Sequence, residues 1–194
     1  MIRSFEFARK MENGKAVIEP DERGCVGTVK AYPKAKLPQY QTKHAAGADF
    51  FCAEEVTIPS IWGLFIHHYL DYVASHISIK SDAEKDVIKP TLVHTGIKAG
   101  MGEDEVLTLF NRSSGPKRGL ILANGTGVVD SDFYENSDDD GEIKFAFFNI
   151  KPWPVTIKVG DRIGQGVFEK YLRPEIGLDI KDVKRSSGFG STGK

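Results

Sequence analysis

VTIKV, residues 155–159, alternates without exception. Val155, Ile157 and Val159 fall on one side of an extended chain, and Thr156 and Lys158 on the other. That two-residue period belongs to a strand with one buried face. The same pattern recurs in both directions along the chain. EVLTLF (105–110), GEIKFAFFN (141–149) and RIGQGVFEKY (162–171) are short, rich in aromatic and branched residues, and divided by Gly, Pro or Asp clusters. Strands at regular spacing with turn signals between them predict an all-β sandwich or barrel.

One segment departs from this rhythm. From Pro59 to about His76 the apolar residues Ile61, Leu64, Phe65, Tyr69, Tyr72 and Val73 fall at helical spacing. Ser81 and Glu84 then form an S-x-x-E capping box before a short second helix that must stop near Pro90. Residues 59–90 therefore read as a helical insertion in a β domain that spans 1–194. Trp62, Ile66 and Tyr69 make the first helix apolar on more than one side. Such a helix needs several neighbours, so it is expected to pack on the body and on another subunit or a protein partner.

Length and composition bound the rest. At 194 residues, with 40% hydrophobic and 27% charged residues, the chain suits one globular domain with a real core. A net charge of −1 gives no positive field to recruit nucleic acid. The two cysteines, Cys25 and Cys52, are too few for a disulfide scaffold and read as small core residues. MIRSFEFARK lacks the apolar stretch of a signal peptide, and IWGLFIHHYLDYVA is too short and too polar to span a bilayer. A cytoplasmic protein is expected, or one working in a host's cytoplasm if a phage encodes it.

Several motifs imitate sites. His67 and His68 are adjacent on a helix and point about 100° apart, so they cannot chelate one metal as an i,i+4 pair does. NSDDDG (136–141) resembles the start of a calcium loop, but the twelfth position from Asn136 is Phe147 instead of a bidentate glutamate. It reads as an exposed acidic turn between two strands. The last ten residues, RSSGFGSTGK, fit both G-x-G-x-x-G and most of G-x-x-x-x-G-K. Each pattern needs a helix after it, and none is expected where the sequence closes at Lys194. The chemistry survives nonetheless, because glycine N–H groups beside Ser191, Thr192 and Arg185 can wrap an anion.

That tail has company. AGADF (46–50), RSSGPKRG (112–119), LANGTGVVDSDF (122–133), GDRIGQ (160–165) and RSSGFGSTG (185–193) occur in this order. Together they resemble the five ordered motifs of the trimeric dUTPases, from about Gly47 to Gly193. The resemblance implies a jelly-roll β homotrimer with shared active sites. It also implies Mg²⁺-assisted hydrolysis of dUTP to dUMP and pyrophosphate, which keeps uracil out of DNA and supplies dUMP for thymidylate synthesis.

Residue by residue, the resemblance makes Asp130 the group that orients and deprotonates the water attacking the α-phosphorus. A carboxylate suffices there, because positioning and charge stabilisation supply most of the catalysis in phosphoryl chemistry. Asp49 is assigned to Mg²⁺, through water. Arg112, Ser113, Ser114 and Gln165 serve the phosphates. Uracil is expected on a hairpin through NGTG, with Asn124 at its base and Gly127 in its wall, close enough to reject thymine's methyl group. Phe133 would lie under the deoxyribose, where the family usually has tyrosine. In the tail, Phe189 would stack on uracil while Arg185, Gly190, Ser191 and Thr192 grip the terminal phosphate, forming a flexible lid over 185–194. Asp132 reads as structural, Lys117 and Arg118 as charges beside a turn, and Arg162 as an ion-pair partner. Two other functions remain open: a dCTP deaminase on the same fold, which needs a catalytic glutamate near the base, and a regulatory module whose partner docks on the insertion.

Overall fold

The computed structural model describes residues 3–12, 15–16, 18–19, 28–29, 32–76 and 89–174. Strands β1 (Ser4–Phe7), β2 (Ala48–Phe51) and β3 (Val56–Ile58) precede helix α1 (Ile61–His76). Strands β4 (Thr91–His94), β5 (Ile97–Gly100), β6 (Glu105–Asn111), β7 (Leu120–Leu122), β8 (Gly127–Asp130), β9 (Lys144–Asn149), β10 (Val155–Ile157) and β11 (Arg162–Lys170) follow. Two antiparallel sheets dominate, one in the order β8-β6-β11-β2 and the other β7-β9-β4. The pairs β1-β5 and β10-β3 flank them.

Alternation explains how the sheets meet. Leu107 and Leu109 of β6 are buried while Val106, Thr108 and Phe110 face outward. Phe145 and Phe147 of β9 point back at them within one core cluster that also holds Phe50 and Val93. The Phe50 and Phe145 rings meet across the layers with centroids 5.6 Å apart. Glycine makes this fit possible: a Cβ on Gly164 would fall inside the Phe145 ring, and one on Gly166 would lie 2.7 Å from the Phe50 ring. VTIKV behaves as its pattern requires, with Ile157 buried, Thr156 and Lys158 exposed, and β10 paired to β3.

Cys52 is a buried free thiol donating to the Glu54 carbonyl, and burial pushes its pKa up to about 11. Cys25 lies outside the described residues. Among those that are described, no helix is long and apolar enough to cross a membrane.

The insertion is helical where expected. Ser60 Oγ caps it by accepting from the Trp62 N–H at 3.2 Å, and the Trp62 indole donates to the Ile150 carbonyl at 3.0 Å. Beyond this anchored first turn the helix departs from the expected packing on the body. Phe65, Ile66, Tyr69, Leu70 and Tyr72 are all more than half exposed. The second helix, with Ser81 and Glu84, falls outside the described residues.

The acidic turn also differs from its reading. NSDDDG does join two strands and keeps Ser137 and Asp138 exposed, but its two sides are pinned down: Asn136 is buried and Asp140 is 0% exposed. Cations explain the burial. The Arg9 guanidinium and backbone N–H both donate to Asp140, Lys98 adds a second charge, and Lys144 pairs with Asp139 at 2.7 Å. Arg9 is remote in sequence, so a local reading of the acidic run could not foresee its countercharge.

Candidate active site

Sheet register builds the centre of the site. On the face opposite the core, Asp49 of β2 lies directly across from Gln165 of β11, which lies across from Phe110 of β6. Arg112 follows immediately as β6 ends. Three donors converge on the Asp49 carboxylate, which is 1% exposed: Arg112 Nε and Gln165 Nε2 reach Oδ1 at 3.1 Å, and Arg162 Nη1 reaches Oδ2 at 3.3 Å. One carboxylate between two guanidiniums leaves a net positive cradle, suited to an anion.

This arrangement gives Asp49 an anchoring task that the sequence did not disclose. Direct magnesium ligation does not fit, because both oxygens already hold donors and two cations crowd them. The described residues contain no group of three or more His, Cys, Asp or Glu able to hold a metal. Arg162 makes the structural ion pair expected of it. The missed signal was strand pairing, which places residues 49 and 165 opposite one another across 116 positions.

The loop after Arg112 is shaped to present hydroxyls. Gly115 N–H donates to the Arg112 carbonyl at 2.8 Å, closing a turn that exposes Ser113. Arg112 Nη1 donates to Ser114 Oγ at 3.3 Å, so the guanidinium is steered from two sides. Asn111 occupies the space where a Cβ on Gly115 would stand, which requires glycine there. Arg118 pairs with Asp161 at 2.9 Å and clips this loop to GDRIGQ; it is more than an ordinary charge beside a turn.

The other half of the constellation lies elsewhere on the sheet. Asp130 ends β8 opposite Val106, and the 3-10 turn Ser131–Phe133 follows. Gly127 sits opposite Leu109, where a Cβ would come 3.0 Å from the leucine's own. Asn124 is exposed in a turn whose Gly125 adopts φ +69°. That turn corrects the expected hairpin: β7 pairs with β9 and β8 with β6, so NGTG crosses between the sheets instead of joining paired strands. Phe133 is 8% exposed and belongs to the core cluster, so little of it is open.

Arg112 and Asp130 are therefore not neighbours in one chain. Val106, the partner of Asp130, stands six positions before Arg112. At about 3.4 Å per strand residue, the backbones of the two residues are about 20 Å apart. Arg185, Phe189, Gly190, Ser191 and Thr192, with the proposed lid, lie outside the described residues.

The dUTPase family model matches residues 73–193, more than half of the chain. The chain belongs to the dUTPase family. A dUTP nucleotidohydrolase from Lactococcus lactis is 34% identical over 81% of this chain and 87% of its own length. Among solved structures, the dUTPase of Streptococcus mutans is 32% identical, covers 75% of this chain and 97% of its own, and superposes with a TM-score of 0.57. A dUTPase from phage phi11 of S. aureus shares the fold at 17% identity, covering 77% of this chain and 93% of its own with a TM-score of 0.52. The dUTPase match extends through RSSGFGSTG, so the whole of the last motif falls within it.

Proposed function

We propose that this dUTPase hydrolyses dUTP at the α-phosphorus in an active site assembled from more than one copy of the chain. Asp130 accepts a proton as water attacks. The new P–O bond forms while the bond to the bridging oxygen of the β-phosphate breaks, so dUMP and pyrophosphate result. When bound to the triphosphate, magnesium would neutralise phosphate charge.

The chain's own residues do the rest. Arg112, held by Asp49 and Ser114, offers its remaining N–H groups to phosphate oxygens, with Ser113, Ser114 and Gln165 beside it. Asp49 would reach a magnesium complex only through water, since its oxygens already accept from Arg112, Gln165 and Arg162. Asn124 and Gly127 line the uracil side, and Phe133 supports the sugar. In the last motif, Phe189 covers the base while Arg185, Gly190, Ser191 and Thr192 hold the terminal phosphate.

The observation carrying this reading is the separation of Arg112 from Asp130 along β6. A triphosphate cannot bridge about 20 Å with its α-phosphorus at Asp130 and its phosphates at Arg112 of the same chain. A second copy closes the gap, and a closed homotrimer repeats the arrangement three times. The face between the two ends supports such packing: Val106, Thr108, Phe110, Val128 and Val167 all point outward there.

Purified protein incubated with dUTP, dCTP and dTTP in Mg²⁺ tests the reading through pyrophosphate release. Turnover of dUTP alone is expected. Ammonia release from dCTP would instead support the deaminase, and no turnover of dUTP sinks the proposal.

A further inference from the structure

The turn that carries Asp130 is held from behind by residues outside all five motifs. After Phe133 the chain makes an excursion of ten residues before β9 begins, long enough to sway unless tied. Asn136 supplies the first tie. Its Nδ2 donates to the Phe133 carbonyl at 3.1 Å, while its Oδ1 accepts from the N–H groups of Asp138 and Asp139 at 2.9 and 3.1 Å. Gly141 supplies a second by packing on the same backbone. Its φ is +78°, and a Cβ there would lie 2.8 Å from both the Phe133 oxygen and the Glu135 nitrogen.

Two other residues of the excursion, Glu135 and Asp140, adopt φ of +54° and +59°. Side chains other than glycine's rarely adopt such a conformation, and it persists only when surroundings over-determine it. Here one buried ammonium engages both: Lys98 Nζ donates to Glu135 Oε1 at 2.8 Å and to Asp140 Oδ2 at 3.4 Å. Arg9 completes the set, donating its backbone N–H at 2.8 Å and Nε at 3.0 Å to Asp140. Lys98 also lies 4.9 Å from the centroid of the Tyr134 ring, whose hydroxyl donates to Glu6 of β1 at 2.7 Å.

We infer that Arg9, Lys98 and Asp140, acting through Asn136 and the Phe133 carbonyl, position the Asp130 turn for the reaction on dUTP. They are positioning residues, with no contact to substrate required. This rests on Asp130 as the group that activates water. The charges also balance, since two cations meet Glu135 and Asp140, so the brace adds no net charge beside the site. Asp140 stays ionised despite its burial: desolvation pushes its carboxyl up, but the Arg9 hydrogen bonds and the Lys98 charge outweigh this and hold it below the ordinary value.

The test compares Lys98→Met, Lys98→Arg and Asp140→Asn with wild type, using steady-state kinetics on dUTP and amide hydrogen exchange at residues 130–134. Lys98→Met and Asp140→Asn should lower kcat about tenfold or more, with a smaller change in KM, and speed exchange in the turn. Lys98→Arg should recover most of both. Folded variants with wild-type kcat and KM, differing only in melting temperature, would overturn the inference. Should the two buried-site variants fail to fold, Arg9→Gln at a half-exposed side chain decides the matter by the same readouts. If wild type does not turn over dUTP, the proposed function fails. The exchange data then still decide whether the cluster holds the turn.

Discussion

Arg112 donates its Nε to Asp49 at 3.1 Å, and this contact sets which edge of the guanidinium is left for another partner. Asp49→Asn replaces one of the two carboxylate oxygens by an NH₂ that confronts a cation. Activity should fall about 100-fold in kcat/KM, from misplacement of Arg112 and Gln165. Stability should fall by about 2 kcal/mol, less than for a fully buried pair because Arg162 is partly solvated. Steady-state kinetics and urea unfolding measure the two effects. Excess Mg²⁺ should not rescue the variant. Recovery at high Mg²⁺ would return Asp49 to the role of metal contact.

The distance between Arg112 and Asp130 can be tested by complementation. Asp130→Asn and Arg112→Ala should each be nearly inactive alone. If sites are shared, mixed assemblies made by co-expression should contain some that draw Asp130 from one copy and Arg112 from another. With random one-to-one mixing in a closed ring, about a quarter of sites are native. Specific activity of the mixture should therefore return to about a quarter of wild type. No recovery in verified mixed trimers would place both residues in one chain's site.

How much of this was legible in the sequence depends on the range of the interaction. The strands at 105–111 and 155–157 were readable because Leu107, Leu109 and Ile157 alternate with outward residues over a few positions. The helix at 61–76 was readable for the same reason, though not its exposure, since spacing says which residues share a face and not what covers it. The convergence on Asp49 was not readable: it comes from register across three strands, and the bulge between Arg162 and Gly164 adjusts which side chains arrive. NSDDDG was misjudged because its countercharge, Arg9, is 131 positions away. The five motifs named the participants in the proposed site. Only the sheet register separated Asp130 from Arg112.

Acid should loosen the brace around Asp140. Its carboxyl is held below the ordinary value of 3.8, so its contribution to stability is complete above that pH and is lost as pH falls through the lower folded value. Wild type should lose melting temperature steeply below pH 3.8. Asp140→Asn should be less stable at neutrality and show a shallower acid limb, so that the two curves approach each other. Thermal scans by circular dichroism across this range measure the difference. Parallel curves would mean that Asp140 does not carry the acid sensitivity.

Glycine substitutions test the packing of β11 on the core. Gly164→Ala would drive a methyl into the Phe145 ring at the centre of the sandwich. Neither neighbour can yield, because Phe145 is fully buried and Gly164 is fixed by the ladder to Asn111. The expected loss is about 3 kcal/mol or more. Gly63 in α1 provides the contrast, since a Cβ there meets nothing within 4 Å. Gly63→Ala should leave the fold intact and stabilise it by a few tenths of a kcal/mol up to about 1, from helix propensity alone. Denaturant unfolding of both variants reads the difference directly. Equal stabilities would show that Phe145 can move aside, and that the two sheets are less tightly locked than their facing rings imply.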